Sequence, residues 1–254
     1  MKVRWLAVLA LVFTTGCAVH PIREVRVQQP IGDSTLYTHL YRTPRGTLLF
    51  LNLHEDEATS VAAALRLVRR HGGRIVKLEH SGERLLTFEL DGRTYRVDPN
   101  RIFTPSGVRA TLERYSHPDP EAAEAALAFA RHLVASFGLT RADIIVTLHN
   151  NGEGGYAATS YLPGGEMERE AARVHLQPGT DPDDFFFVTT PELFEAVRAR
   201  GCNVVLQDNA AATDDGSLSV LAARLGVPYV NVEAQHGHLK EQLRMLRILL
   251  EVLD

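Results

Sequence analysis

The chain has 254 residues, 45 % hydrophobic and 23 % charged, a balance that supports a sizeable core in one large domain or two small ones. Lys plus Arg number 27 against 31 Asp plus Glu, a net charge of −4. No basic stripe is interleaved with aromatics, which excludes nucleic acid as an expected partner.

Lys2 and Arg4 precede an apolar run over 5–13 and a small-residue exit, Thr14-Thr15-Gly16-Cys17. That run is too short to span a bilayer and has the layout of a signal-peptide core. Gly16-Cys17 resembles a bacterial lipoprotein cleavage site, where the Cys receives the lipid and begins the mature chain. Residues 1–17 are therefore expected to be a signal peptide with Cys17 as the lipidation position. Cleavage after Ala18 without a lipid is the alternative. Either way the protein is expected to be exported to the periplasm or cell envelope, and with the lipid it is anchored to the membrane. Only Cys202 then remains as a thiol, so no intrachain disulfide framework is expected. Its position before the apolar Asn203-Val204-Val205-Leu206 predicts a small buried hydrophobe.

Residues 18–33, with Pro21, Pro30 and Gly32, show little periodicity, so 18–45 reads as a tether and N-terminal segment. Thereafter β and α signals alternate. Residues 47–53 predict a buried strand, and 58–71 a helix stopped by Gly72-Gly73. Its Arg66, Arg69 and Arg70 fit a solvated helix C-terminus, where cations are favoured. A strand over 74–79 follows, then a hairpin turning at Asp91-Gly92 between 84–90 and 94–97. A long Ala-rich helix is expected over 120–137, ended by Gly138, and a near-continuous apolar strand over 144–148. A Gly-rich loop occupies 152–165. The rest reads as a strand over 185–189, a helix opening at Thr190-Pro191, a strand over 203–206, a helix over 217–225, a strand over 228–232 and a helix over 238–253. This alternation predicts a single α/β domain with a mixed, largely parallel β-sheet flanked by helices.

Four polar clusters stand at the ends of these strands: His54-Glu55-Asp56-Glu57, Asp98-Pro99-Asn100-Arg101, His149-Asn150-Asn151 and Glu233. Open α/β sheets place ligands beyond the carboxyl ends of their strands, so the clusters read as one site. His54 and Glu57, three apart in a helical turn, can grip one ion, with His149 from another strand as third ligand. Two His and one Glu with an open fourth position suit a catalytic zinc. Helix capping is the alternative use for His54 and Glu57, and Glu55 and Asp56 are taken as first-turn acids. Glu233 reads as a general base beside a metal-bound water, or otherwise as a cap on the last helix. Arg101 offers a fork for a substrate carboxylate, with Asn100 adding a donor, although a surface turn would look similar. His236 and His238, two apart, read as loop or helix-start residues.

His54-x-x-Glu57, Asn100-Arg101, His149 and Glu233 resemble, in order and rough spacing over 46–254, the zinc carboxypeptidases of the carboxypeptidase A-like family. The resemblance implies that His54, Glu57 and His149 bind zinc, that Asn100 and Arg101 hold the substrate's terminal carboxylate, and that Glu233 is the general base. It also implies a mixed eight-stranded sheet, an arginine that polarises the scissile carbonyl (Arg84, or else Arg93), and a capping tyrosine for which Tyr156 and Tyr161 are candidates. The expected activity is that of an exported zinc-dependent metallopeptidase, or amide hydrolase, on peptides with a free carboxylate, including peptidoglycan stem peptides. An aspartoacylase-like deacylase of N-acyl amino acids and a non-catalytic, peptide-binding envelope lipoprotein are the alternatives.

Overall fold

The computed structural model describes residues 19–254; the expected signal peptide and Cys17 lie outside the described residues. The strands are β1 (Arg23–Ile31), β2 (Ser34–Arg42), β3 (Leu49–Asn52), β4 (Arg74–Glu79), β5 (Leu86–Leu90), β6 (Arg93–Val97), β7 (Ile145–Asn151), β8 (Ala171–His175), β9 (Phe185–Val188), β10 (Asn203–Gln207) and β11 (Tyr229–Gln235). The helices are α1 (Ala58–His71), α2 (Pro105–Tyr115), α3 (Pro120–Ser136), α4 (Pro191–Arg198), α5 (Leu218–Leu225) and α6 (Leu239–Leu253).

Nine strands form one sheet in the order β1-β2-β4-β3-β7-β11-β9-β10-β8. Its centre, β4-β3-β7-β11, is parallel; β9 and β10 run parallel to each other but antiparallel to β11, and β1, β2 and β8 pair antiparallel at the margins. β3, β7, β9 and β10 are buried at every residue, as expected of strands covered on both faces. One cover comprises α1, α4 and α6 over Phe50, Val146, Leu148, Val230 and Val232. The other comprises α2, α3 and α5 over Leu51, Ile145, Phe185 and Tyr229. The two-residue period of a strand assigns alternate side chains to the two covers. His149 therefore shares a face with Ile145, and Glu233 with Tyr229.

The helix stop at Gly72 and the Asp91-Gly92 hairpin stand as expected, with Asp91 and Gly92 both at positive φ (49° and 70°), the requirement of a tight two-residue turn. Cys202 is a buried free thiol, 1 % exposed. The tether expected over residues 18–33 is corrected: β1 takes up most of it and, with β2, forms a hairpin that extends the main sheet through β2–β4 pairing. The strand is concealed because β1 is an edge exposed on both faces along most of its length, which removes the apolar alternation that betrays a strand. The sheet accordingly has nine strands where the family resemblance implied eight. Two further elements, α2 and β8, are additions to the expected set.

Candidate functional site

One cavity of about 290 Å³ at the carboxyl ends of β3, β7 and β11 is lined by His54, Glu57, Arg84, Asn100, Arg101, His149 and Glu233. All seven residues singled out in the sequence thus meet in one place. β3 ends at Asn52 and delivers His54, while β7 and β11 run parallel with His149 and Glu233 as direct register partners. A larger groove, about 790 Å³, lies at the opposite ends of the strands, lined by loop residues such as Gly46, Thr47, Gly138 and Ala142.

The ligand atoms of His54, Glu57 and His149 draw together, with one oxygen of Glu57 beside each histidine nitrogen. His54 Nδ1 lies 3.1 Å from His149 Nδ1 and 3.0 Å from Glu57 Oε1, and His149 Nδ1 lies 3.0 Å from Glu57 Oε2. All three residues are nearly inaccessible, at 1 %, 2 % and 4 % exposure for His54, Glu57 and His149. Nitrogen and oxygen ligands bind zinc at about 2.0–2.1 Å, so ligands of one ion stand about 3–3.5 Å apart. The donor set fits that ion. His54 Nε2 donates to Asp98 Oδ1 at 2.8 Å, which leaves Nδ1 to face Glu57 and His149. Asp98 is a residue that sequence reasoning quoted without a role; it stands behind His54, where a carboxylate would orient an imidazole that ligates a metal.

The charges point the same way. Burial opposes charge on His54, yet Glu57 and Asp98 outweigh it and push the imidazole up to about 9. Glu57 is held well below the usual carboxylate range by His149 and His54, against the effect of burial. Burial, with Glu57 next in effect, pushes Glu233 up to about 8. A cavity that retains protons on both a histidine and a carboxylate near neutrality has room for positive charge, and a bound cation would displace them.

The competing structural uses fail on geometry. Glu57 occupies the N-cap position of α1 but makes no side-chain bond to the helix. The turn is fixed instead by Ser60, whose hydroxyl donates to Glu57 O at 2.8 Å and whose amide donates to Asn150 Oδ1 at 2.9 Å. Glu233 lies within β11, 4 % exposed, and accepts from Asn231 Nδ2 at 2.9 Å rather than capping α6. Glu55 also departs from its expected role. Its Oε2 accepts the amides of His80, Ser81 and Gly82 at 2.7–2.8 Å, which fastens the loop that carries Arg84. Those three bonds hold its carboxyl low despite burial.

Arg84 reaches into the cavity and donates to Glu57 Oε1 at 2.7 Å. Arg93 opens β6 on the separate two-stranded sheet and is absent from the cavity lining. Arg101 is anchored by its Nε, 3.3 Å from Asp215 Oδ2, and by a 3.0 Å bond from Nη1 to Asn100 O. Its segment is clamped by two glycines. A Cβ on Gly107 would stand 2.1 Å from Gly216 Cα, and one on Gly216 would stand 2.3 Å from Arg101 O. Tyr156 lines the same cavity and its hydroxyl bonds that of Tyr161. Burial raises both phenols far above their ordinary range. His238 stands at the start of α6, as its sequence position suggested, makes no side-chain bond to the helix, and meets Asp184 at 3.1 Å; with Asp181 it forms a second group capable of holding a cation.

Two results follow from this geometry. Glu55→Ala removes three charge-assisted bonds, and its effect is expected as at least about tenfold faster amide hydrogen exchange at 80–82. Unchanged protection there would show that the loop holds itself. Glu233 binds its proton more tightly folded than unfolded, so the metal-free protein carries no penalty below about pH 4.5 and an increasing one up to about pH 8. Metal-free Glu233→Gln is therefore expected to melt about 4 °C or more above the parent at pH 8 and together with it at pH 4. Equal melting at both pH values would contradict a proton on Glu233.

No protein-family model and no curated protein sequence matches the chain. Solved structures do. Thrombin activatable fibrinolysis inhibitor (TAFI) superposes with a TM-score of 0.50 at 10 % identity, over 92 % of this chain and 68 % of that one. The fold is zinc carboxypeptidase-like. An aspartoacylase family protein from Mesorhizobium loti gives 0.49 at 17 % identity, over 94 % of this chain and 69 % of that one. Murein-tripeptide amidase MpaA from Escherichia coli O157 gives 0.46 at 15 % identity, over 84 % and 85 %. In this fold the seven cavity residues occupy the crevice in which open α/β sheets assemble their sites.

Proposed function

We propose that the chain is an exported, lipid-anchored, zinc-dependent amide hydrolase that acts on small peptides bearing a free carboxylate. The observation that carries this reading is the group of His54, Glu57 and His149, with ligand atoms 3.0–3.1 Å apart, beside the buried carboxylate of Glu233. A zinc ion held there would supply an activated water and a Lewis acid for the scissile carbonyl.

The chain's own groups do the rest. Glu233 takes the proton of the attacking water and delivers it to the leaving amine, a task suited to a carboxyl tuned towards neutrality. Arg84 offers its guanidinium to the oxyanion that develops on the carbonyl. Arg101 and Asn100, which line the cavity with Tyr156, hold the carboxylate of the substrate and so set which amide reaches Glu233. Asp215 holds Arg101 there through its Nε. In a bacterial envelope, peptidoglycan stem peptides present both an amide and a free carboxylate, and the lipid on Cys17 would hold the enzyme among them.

Hydrolysis of small peptides by the zinc-loaded protein, with matched substrates amidated at the C-terminus, tests the reading. Arg101→Ala is expected to raise KM about 10- to 100-fold for free-carboxylate substrates and to leave amidated ones nearly unchanged. An equal effect on both would remove the clamp from the reading.

A further inference from the structure

Three segments at the pole opposite the cavity, 19–23, 42–48 and 65–74, hold seven arginines and no Asp or Glu, in a chain whose net charge is −4. They are stitched into one surface. His20 N donates to Arg69 O at 2.7 Å, Thr43 N to Gly73 O at 3.1 Å, and Gly73 N to Arg45 O at 2.9 Å. Arg23, Arg42 and Arg74 are successive cross-strand partners on β1, β2 and β4, so their side chains share one face of the sheet. Six of the seven arginines are exposed and Arg74 is half-buried. Helix-dipole complementarity accounts for those at the end of α1. It does not account for Arg23, Arg42 and Arg74 in the sheet or for Arg45 in the following loop.

The second observation is where the chain enters. Between Cys17 and His20, whose amide is fixed to the end of α1, lie only Ala18 and Val19. Three residue steps reach about 10–11 Å even when fully extended. That is close to the roughly 8 Å Debye length at physiological ionic strength. A lipid on Cys17 would hold this surface within about one to one and a half Debye lengths of the headgroups. The rest of the molecule, with its net negative charge, would be repelled from an anionic bilayer.

We propose that this arginine surface is the membrane-docking face, seated on anionic phospholipid headgroups around the anchor. Docking fixes the orientation. Leu49 opens β3 and Arg74 opens β4 at this pole, whereas His54 follows the far end of β3. The His54–Glu57–His149 cavity therefore opens away from the bilayer, towards soluble or wall-bound substrate. The inference rests on the lipoprotein reading of Cys17, and its test separates the two.

The full chain is produced in a bacterial host, extracted with its native N-terminus, and reconstituted into vesicles of phosphatidylcholine alone or with phosphatidylglycerol. Cys202 is buried, so a single introduced cysteine reports accessibility to a neutral polyethylene-glycol maleimide. Pro44→Cys lies in the shallow groove beside Arg23 and Arg42, and Glu153→Cys in the exposed loop after β7. Labelling at Pro44→Cys is expected to slow at least about fivefold in the phosphatidylglycerol vesicles, with Glu153→Cys unchanged. Adding Arg42→Glu, Arg45→Glu and Arg69→Glu should restore the fast rate at an unchanged melting temperature. Equal labelling of Pro44→Cys in both vesicles would overturn the docking face while leaving the lipoprotein reading intact. An N-terminal peptide whose mass shows no lipid would overturn the lipoprotein reading and, with it, docking through a short anchor.

Discussion

Glu233→Gln is expected to lower kcat by about 10³-fold or more while one equivalent of zinc stays bound, since general acid–base groups contribute about 10²–10⁴. The substitution is nearly isosteric, and Asn231 Nδ2, which now donates at 2.9 Å to Glu233 Oε2, can donate equally to a Gln oxygen. The ladder positions Glu233 opposite His149 on one side and Phe185 on the other, so the backbone has no reason to move. What the change removes is a group able to accept a proton at the cavity. The ligand group does not include Glu233, hence the metal should remain. KM should change little, because the carboxylate of the substrate is assigned to Asn100 and Arg101. Zinc content and steady-state rates on the same preparation check the result. A variant that hydrolyses within tenfold of the parent would remove Glu233 as the base, and one that loses zinc would make it a ligand.

The site was legible for one physical reason. A polar residue at the end of an otherwise apolar strand is costly to bury unless it has a partner, so His54, His149 and Glu233 stood out against Phe50, Val146 and Val232. Their convergence could be expected because parallel strands deliver their carboxyl ends to one crevice. Other roles depend on contacts between segments that no local pattern encodes. Glu55 sits where a first-turn acid would, yet its carboxylate is spent on the 80–82 amides, 25 to 27 residues away. Asp98 stands two residues before Asn100, and only its 2.8 Å bond to His54 Nε2 gives it a function. The β1–β2 hairpin was hidden by its edge position, since Val25 and Val27 are among the exposed large hydrophobics and the alternate residues Glu24, Arg26 and Gln28 are exposed as well. α2 did announce itself: Thr104-Pro105 is the same Thr-Pro opening as Thr190-Pro191, and in both the threonine hydroxyl accepts from the first turn. It was obscured by Gly107, which lowers helix propensity locally and is present because α2 touches Gly216.

His149→Ala is expected to abolish stoichiometric metal binding, with an affinity loss of about 10³-fold or more, because three ligands fall to two and loss of a group that only orients a ligand already costs about 10–100-fold. His54 and Glu57 come from one four-residue turn, so they can bind an ion only weakly by themselves. His149 supplies the ligand from a separate strand and closes the site across the 92 residues from Glu57. Its backbone is held from both sides, paired to Glu233 in the ladder and accepting from Gln242 Nε2 at 3.1 Å, so the fold should survive loss of the ring. Zinc that binds only the folded parent raises its melting temperature by mass action, and this rise should vanish in the variant. His238→Ala is the matched control: it breaks the Asp181–Asp184–His238 group and leaves His54, Glu57 and His149 untouched. One equivalent of zinc lost with His149→Ala and kept with His238→Ala assigns the metal to the cavity. The opposite pattern would move the metal to the start of α6 and leave Glu233 without a bound water to activate.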